Sequence, residues 1–411
     1  MSNADFVATW ALSDWDPFLR AIALLVCAAI AVRHVKRGVF SKAKAADSPN
    51  AVLSPPQDTA SDMLGRFGGF SAVGARVSSE VKLARAGDAS AQVRVALVLL
   101  NGYRVPFDAP AGMRWLRLAA AQGNHEACFE LGRLYARGIG VSKDPGEAVR
   151  WYQLAAASPS PSMVLPQFHL GCMHASGDGV AVNKEEAVRW FLTAAERGHP
   201  RAMLFLALAL LNGDGVPEDP SAAHRWMRLS AEKGDSTACF HLGQLYLQGR
   251  VVPRNPVDAV RWFQLAAADE SELLSALPQY HLGQLYSAGD GVQKDSTQAV
   301  SYYRLSAERG YPPAQCELGL SFRRGEGVAR NDVEALAWLT LASNSSRREP
   351  HRQHQQALAA ALPPGLLQQA NARARELARH VYRQRRGAPI PPAWTDSHAA
   401  ALTKSGAGIH R

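Results

Sequence analysis

The sequence predicts an all-α fold: a right-handed α-solenoid of about seven helix-turn-helix repeats with a C-terminal capping helix. Three observations carry this prediction. The motif GDGVPEDP, Gly213 to Pro220, returns as GIGVSKDP at Gly138, GDGVAVNK at Gly177, GDGVQKDS at Gly289 and GEGVARND at Gly325, with looser copies at Gly102 and Gly249. A small residue upstream of each motif (Ala96, Gly132, Gly171, Ala207, Gly243, Gly283, Gly319) recurs in steps of 36, 39, 36, 36, 40 and 36 residues. An Asp or Asn follows every motif at one fixed position. Self-similarity at such a period marks stacked supersecondary units that bury a shared core.

The elements follow in chain order. Residues 1–17 are an N-terminal tail. Residues 18–35 are a candidate transmembrane or interfacial helix. The uninterrupted apolar run, Ala21 to Val32, makes ~18 Å of helix against a hydrocarbon core of ~30 Å. The longer stretch reaches ~27 Å if Arg20, Arg33 and His34 snorkel towards the interfaces. Arg33, Lys36, Arg37, Lys42 and Lys44 follow the run, which places that flank in the cytoplasm. A single-span anchor, an interfacial or soluble helix and a signal peptide cut near AIA at 29–31 all fit. The charge asymmetry favours the first, hence an inner-membrane, single-pass protein with a cytoplasmic array. Residues 36–80, rich in Ser, Ala, Pro and Gly, are expected to be a flexible linker.

Residues 81–346 form the repeat array. In the second repeat the first helix is EACFELGRLYARG, with Phe129, Leu131, Leu134 and Tyr135 at helical spacing. Gly132 permits close approach of a neighbouring helix. The second helix begins at Asp108, Asp144, Asn183, Asp219, Asn255, Asp295 or Asn331, all preferred N-cap residues. Pro145, Pro220 and Pro256 come next, where a missing N–H costs nothing. The carboxylates of GDGVPEDP are therefore read as caps; the spacing of a calcium loop is absent. Each second helix carries a large ring at Trp115, Trp151, Trp190, Trp226, Trp262, Tyr302 or Trp338, expected to pack between helix pairs. Gly123, Gly198, Gly234 and Gly310 end second helices, while repeats two and five carry insertions instead. Equivalent positions such as Gly132 and Gly243 lie 111 or 112 residues apart. A three-repeat cassette has been duplicated, with a seventh repeat closing the array.

The run ACFELGRLYARGIGVSKDPGEAVRWYQLAAA closely resembles the Sel-1-like repeat family, over about residues 84–380. That resemblance implies a tetratricopeptide-related α/α superhelix acting as a protein-binding scaffold, often in membrane-associated complexes or signalling, with no shared catalytic residues. Some cysteine-rich relatives staple each helix pair with disulfides. This chain has five cysteines in no regular pairing. Cys128 and Cys239 occupy equivalent first-helix positions and read as core residues, and reduced surroundings are the simpler reading.

Residues 347–386 are basic capping helices, with nine Arg and two Glu, so +7 of the net +9 lies there. Residues 387–411 read as a disordered tail. The arginines suit either a solvated cap or a patch for an anionic lipid or nucleic acid. Poor aromatic interleaving disfavours nucleic acid. No zinc-protease, nucleophile-elbow, phosphate-loop or dinucleotide motif occurs. His169, His241 and His281 recur two residues before the aligned glycine, but a stripe over several repeats does not converge on one ion. No catalytic residue, cofactor or metal is expected.

A non-enzymatic scaffold, membrane-tethered and holding a protein or peptide, is the reading that results. A cell-envelope or β-lactam hydrolase, by analogy with relatives, and an arginine-tail binder of nucleic acid or anionic lipid are the alternatives. Positions two before and one after the aligned small residue share a face and vary freely. They are expected to be solvent-facing and spared from packing, which makes Arg133, His241, Gln244, His281 and Gln284 the candidate partner-binding residues.

Overall fold

The computed structural model describes residues 72–102, 107–160, 163–249, 251–269, 272–345 and 349–384. The candidate membrane segment 18–35, Cys27, most of the linker, Arg385, Arg386 and the tail 387–411 lie outside the described residues. All regular structure among the described residues is helical. The first helices of the seven repeats are α2 (Ala89–Asn101), α4 (His125–Arg137), α6 (Leu165–Ser176), α8 (Pro200–Asn212), α10 (Ser236–Gln248), α12 (Glu272–Ala288) and α14 (Pro312–Arg324). Their second helices are α3 (Ala109–Ala121), α5 (Pro145–Ala156), α7 (Lys184–Glu196), α9 (Pro220–Glu232), α11 (Pro256–Ala267), α13 (Ser296–Glu308) and α15 (Asp332–Ser345). Helix α1 (Ala72–Arg85) precedes the array; α16 (Glu349–Ala361) and α17 (Pro364–Gln384) follow it. The chain divides into two compact units, residues 1–226 and 227–411, with the division inside α9.

The second helices start where the Asp/Asn column predicts. Asp144 Oδ1 accepts from the Glu147 N–H at 3.0 Å, Asp219 from Ala222 at 2.8 Å and Asp295 from Gln298 at 3.0 Å. Asp108, Asn183, Asn255 and Asn331 cap in the same way. The turn motif therefore orders backbone. Its second glycine also spaces the repeats: Gly215 has φ +73, and a Cβ there would stand 2.3 Å from the Lys184 carbonyl carbon. The turn aspartates tie neighbouring repeats together, Asp214 to Lys184 at 2.5 Å and Asp178 to Lys143 at 3.9 Å, with Asp290 paired to Arg254.

Within each repeat the two helices meet at the aligned small residue. A Cβ on Gly132 would lie 2.6 Å from the Tyr152 ring, on Gly171 2.5 Å from Phe191, and on Gly243 2.6 Å from Phe263. Gly283 meets Tyr303 in the same way. The ring that fills the core is thus one residue beyond the expected column. Phe191 and Phe263 are fully buried and Tyr152 is 3% exposed. Trp151, Trp190, Trp226 and Trp262 are only half-buried; Trp115 and Trp338 alone in that column are buried. The correction has a steric cause. Adjacent helix positions differ by ~100°, and only the second of the two neighbouring rings points at the glycine.

The two insertions differ in form. That of repeat two is irregular around Ser158, where Arg197 donates to the Ser158, Pro159 and Ser160 carbonyls. That of repeat five extends α12, with Pro278 inside the helix, and Arg309 donates to Gln279 at 3.0 Å. At the closing end, α17 buries Ala370, Ala374, Leu377, Ala378 and Val381, a helical stripe packed on α15. Arg373 bonds Glu334 of α15 at 2.7 Å and Glu376 at 3.1 Å. Cys128, Cys239 and Cys316 are buried free thiols and Cys172 is a half-buried one; burial pushes the Cys239 thiol up to about 11 and the Cys316 thiol up to about 12.

Candidate partner-binding surface

The residue two before the aligned position lies over the buried ring of the preceding repeat. In unit 1, His169 of α6 stacks on Tyr152 of α5, centroids 5.1 Å apart at 10°. Phe205 of α8 meets Phe191 of α7 at 5.2 Å. In unit 2, His281 of α12 stacks on Phe263 of α11 at 5.2 Å and 13°, with Phe240 at 5.8 Å. The same lid therefore recurs in both cassette copies. Each imidazole keeps a partly open edge while protein crowds its remaining sides. Burial holds His169, His241 and His281 neutral, down to about 4, with Arg133 and Arg137 adding to the effect at His169.

This corrects part of the expected surface. His241 and His281 are half-buried; His281 meets Phe263 of the repeat before it, and His241 lies 5.7 Å from the Phe240 ring of its own helix. The lid role was not legible from spacing within one repeat, since its partner comes from the adjacent one. Gln284 is exposed and Gln244 half-buried. Gln284 Nε2 donates to the Tyr280 hydroxyl at 3.0 Å, so its Oε1 faces His281 Nδ1 at 3.1 Å and accepts that N–H. A side-chain hydrogen bond also joins Gln244 to His241. In unit 2, four of the five candidate residues thus form two His–Gln pairs on successive first helices.

Arg133, in unit 1, sits in a different setting. Its Nη1 donates to both Glu130 oxygens, at 2.7 and 2.9 Å, and its guanidinium lies 5.8 Å from the Phe129 ring centroid. The side chain is 32% exposed, so the stripe here is half open and internally paired. Arg137, one turn further along α4, was not singled out by the sequence although it shares this face. No group of His, Cys, Asp or Glu that could hold a metal occurs among the described residues.

Comparison with known proteins decides the lineage. The Sel1 repeat family model matches residues 89–124, 125–160, 167–199, 200–235, 236–271, 279–311 and 312–346. The chain belongs to the Sel1 repeat family. Solved structures agree. A protective antigen of uropathogenic Escherichia coli strains displaying an SLR fold is 31% identical, with a TM-score of 0.66, over 75% of this chain and 64% of that one. A Sel1 repeat protein from Oxalobacter formigenes is 31% identical, with a TM-score of 0.50, over 66% of this chain and all of that one. This chain thus spans just under two thirds of the Escherichia coli antigen. No curated protein matches the sequence. Sel1 repeat proteins are generally protein–protein interaction scaffolds and typically non-catalytic.

Proposed function

We propose that this Sel1 repeat protein is a non-enzymatic scaffold that holds a protein or peptide partner on its first-helix surface. The observation that carries the reading is the in-register lid row. His–Gln pairs on α10 and α12 present ordered, partly open polar groups, and that of α12 stands over the buried Phe263 ring. Neutral imidazoles and fixed carboxamides offer donors and acceptors without a charge to desolvate, which suits peptide backbone. Arg133 adds a guanidinium beside a ring in unit 1. The arginine tail is better read as a cap, because Arg373 is engaged by Glu334 and Glu376.

Membrane tethering through residues 18–35, with the array on the cytoplasmic side, belongs to the same proposal and rests on the Arg/Lys cluster after the apolar run. Among the described residues no helix is long and apolar enough to cross a membrane.

Substitution tests the binding surface. Arg133→Glu, Gln244→Glu and Gln284→Glu combined should abolish partner capture by the full-length protein from its native membranes, with the melting temperature shifted by only a few degrees. Capture that survives all three changes would refute the assignment.

A further inference from the structure

Arg137 is the last residue of α4 and is half-buried. Its side chain makes no ion pair or hydrogen bond to any described residue. Its surroundings are Arg133 and Glu130 on α4 and Tyr152 on α5, with His169 of α6 close enough to feel its charge. Glu130 is the one carboxylate of this group, and both its oxygens accept from Arg133. His169 is neutral above about pH 4. Two guanidiniums thus share one carboxylate, leaving one uncompensated positive charge on the first-helix surface. Burial and the Arg133 charge both lower the Arg137 pKa, so the site is a strained place for a lone cation.

A role in ending the helix does not account for it. A cation near a helix C-terminus gains modestly from the macrodipole. Yet the same position is Ser176 in α6, Gln248 in α10 and Ala288 in α12, and those helices end equally well at an αL or turn glycine. Arg324, the other arginine at this position, is paired with Glu326 at 3.6 Å. The duplicated cassette sharpens the contrast. Where unit 1 has Glu130, Arg133 and Arg137, unit 2 has His241, Gln244 and Gln248. The charge is therefore an addition that the fold does without in its own second copy.

We propose that the first-helix surface of unit 1 binds an acidic peptide segment, with Arg137 pairing to an Asp or Glu side-chain carboxylate of that segment. The proposal rests on the scaffold reading above and assigns the partner's chemistry. A carboxylate would accept the guanidinium's paired N–H groups, while the stacked Tyr152 and His169 rings supply the adjacent wall. An internal acidic side chain is the committed source, because first helices on either side, α2 and α6, let a peptide run past Arg137.

The test is selection from a display library of random dodecapeptides on the full-length protein. The selected peptides are then resynthesised with amidated C-termini and titrated by fluorescence anisotropy. Selected peptides should be enriched in Asp and Glu. Arg137→Gln, which copies Gln248 of the second cassette, should weaken them about tenfold or more, the loss of one charge-assisted pair, at an unchanged melting temperature. Arg137→Lys should restore part of the affinity. Peptides without acidic preference that are lost on Gln244→Glu and Gln284→Glu would overturn this proposal and leave the scaffold reading standing. Binding that disappears on amidation would overturn the side-chain assignment. No peptide selected above background would count against both readings.

Discussion

The buried histidines make the stability of this array depend on pH. His169, His241 and His281 are held neutral to about pH 4 by burial, against an ordinary value of 6.5. A depressed base takes up its proton first in the unfolded chain. Stability is therefore fully present above about pH 6.5 and is lost as pH falls from there towards 4. His169 also faces Arg133, Arg137 and His199, while the imidazoles of His241 and His281 face Gln244 and Gln284. The melting temperature should fall steadily between pH 6.5 and 4.5, and the triple change of these histidines to Gln should flatten that slope. An unchanged slope would show that the lids are not buried as described. Spacing revealed the histidine column but not its stacking, because the rings under His169 and His281 lie a repeat away.

At the scale of the helix, the determining contact is glycine against ring. Phe263→Ala should cost about 3–5 kcal/mol, since its ring is fully buried. Trp262→Ala should cost clearly less, as Trp262 is half-buried. Gly243→Ala should cost about 1–3 kcal/mol through overpacking against Phe263. The first repeat has Ala96 and Leu116 at these two positions, both fully buried. Gly243→Ala combined with Phe263→Leu should therefore destabilise less than the sum of the single changes. Urea denaturation of the four variants checks this, and simple additivity would contradict the contact. The caps and turns were legible because each needs a particular residue type at a fixed offset, as Asp219 and Gly215 show. The core ring was misplaced by one residue because Trp262 and Phe263 are both large and apolar. Only the direction of the Phe263 side chain towards Gly243 separates them. First helices are capped too, by Asp88, Asn124 and Asp235; each directly follows a glycine, Gly87, Gly123 or Gly234, which is the signal in the sequence.

Over the whole molecule, a duplicated cassette has kept its packing and changed its surface. The rings Phe129 and Tyr152 correspond to Phe240 and Phe263, and the lid His169 corresponds to His281. Between them the polar positions have moved from charged in unit 1 to neutral in unit 2. Glu130, Arg133 and Arg137 of the first copy are His241, Gln244 and Gln248 in the second. The apolar segment 18–35 would hold this surface near a bilayer. Full-length protein should sediment with membranes, and the array should resist protease added from the periplasmic side. Deletion of residues 1–35 should release it, whereas full-length protein that stays in the supernatant would contradict the anchor.

The central claim is that the partner lies on the first helices, and proximity labelling tests it most directly. A photo-crosslinking benzoylphenylalanine can replace Gln244 or Gln284 on the first helices, or Leu265, a second-helix residue that is 55% exposed. On irradiation in native membranes, the Gln244 and Gln284 positions should give one common adduct of the same added mass, and the Leu265 position should give none. An adduct formed from Leu265 and absent from both glutamine positions would place the partner on the second helices and contradict the account.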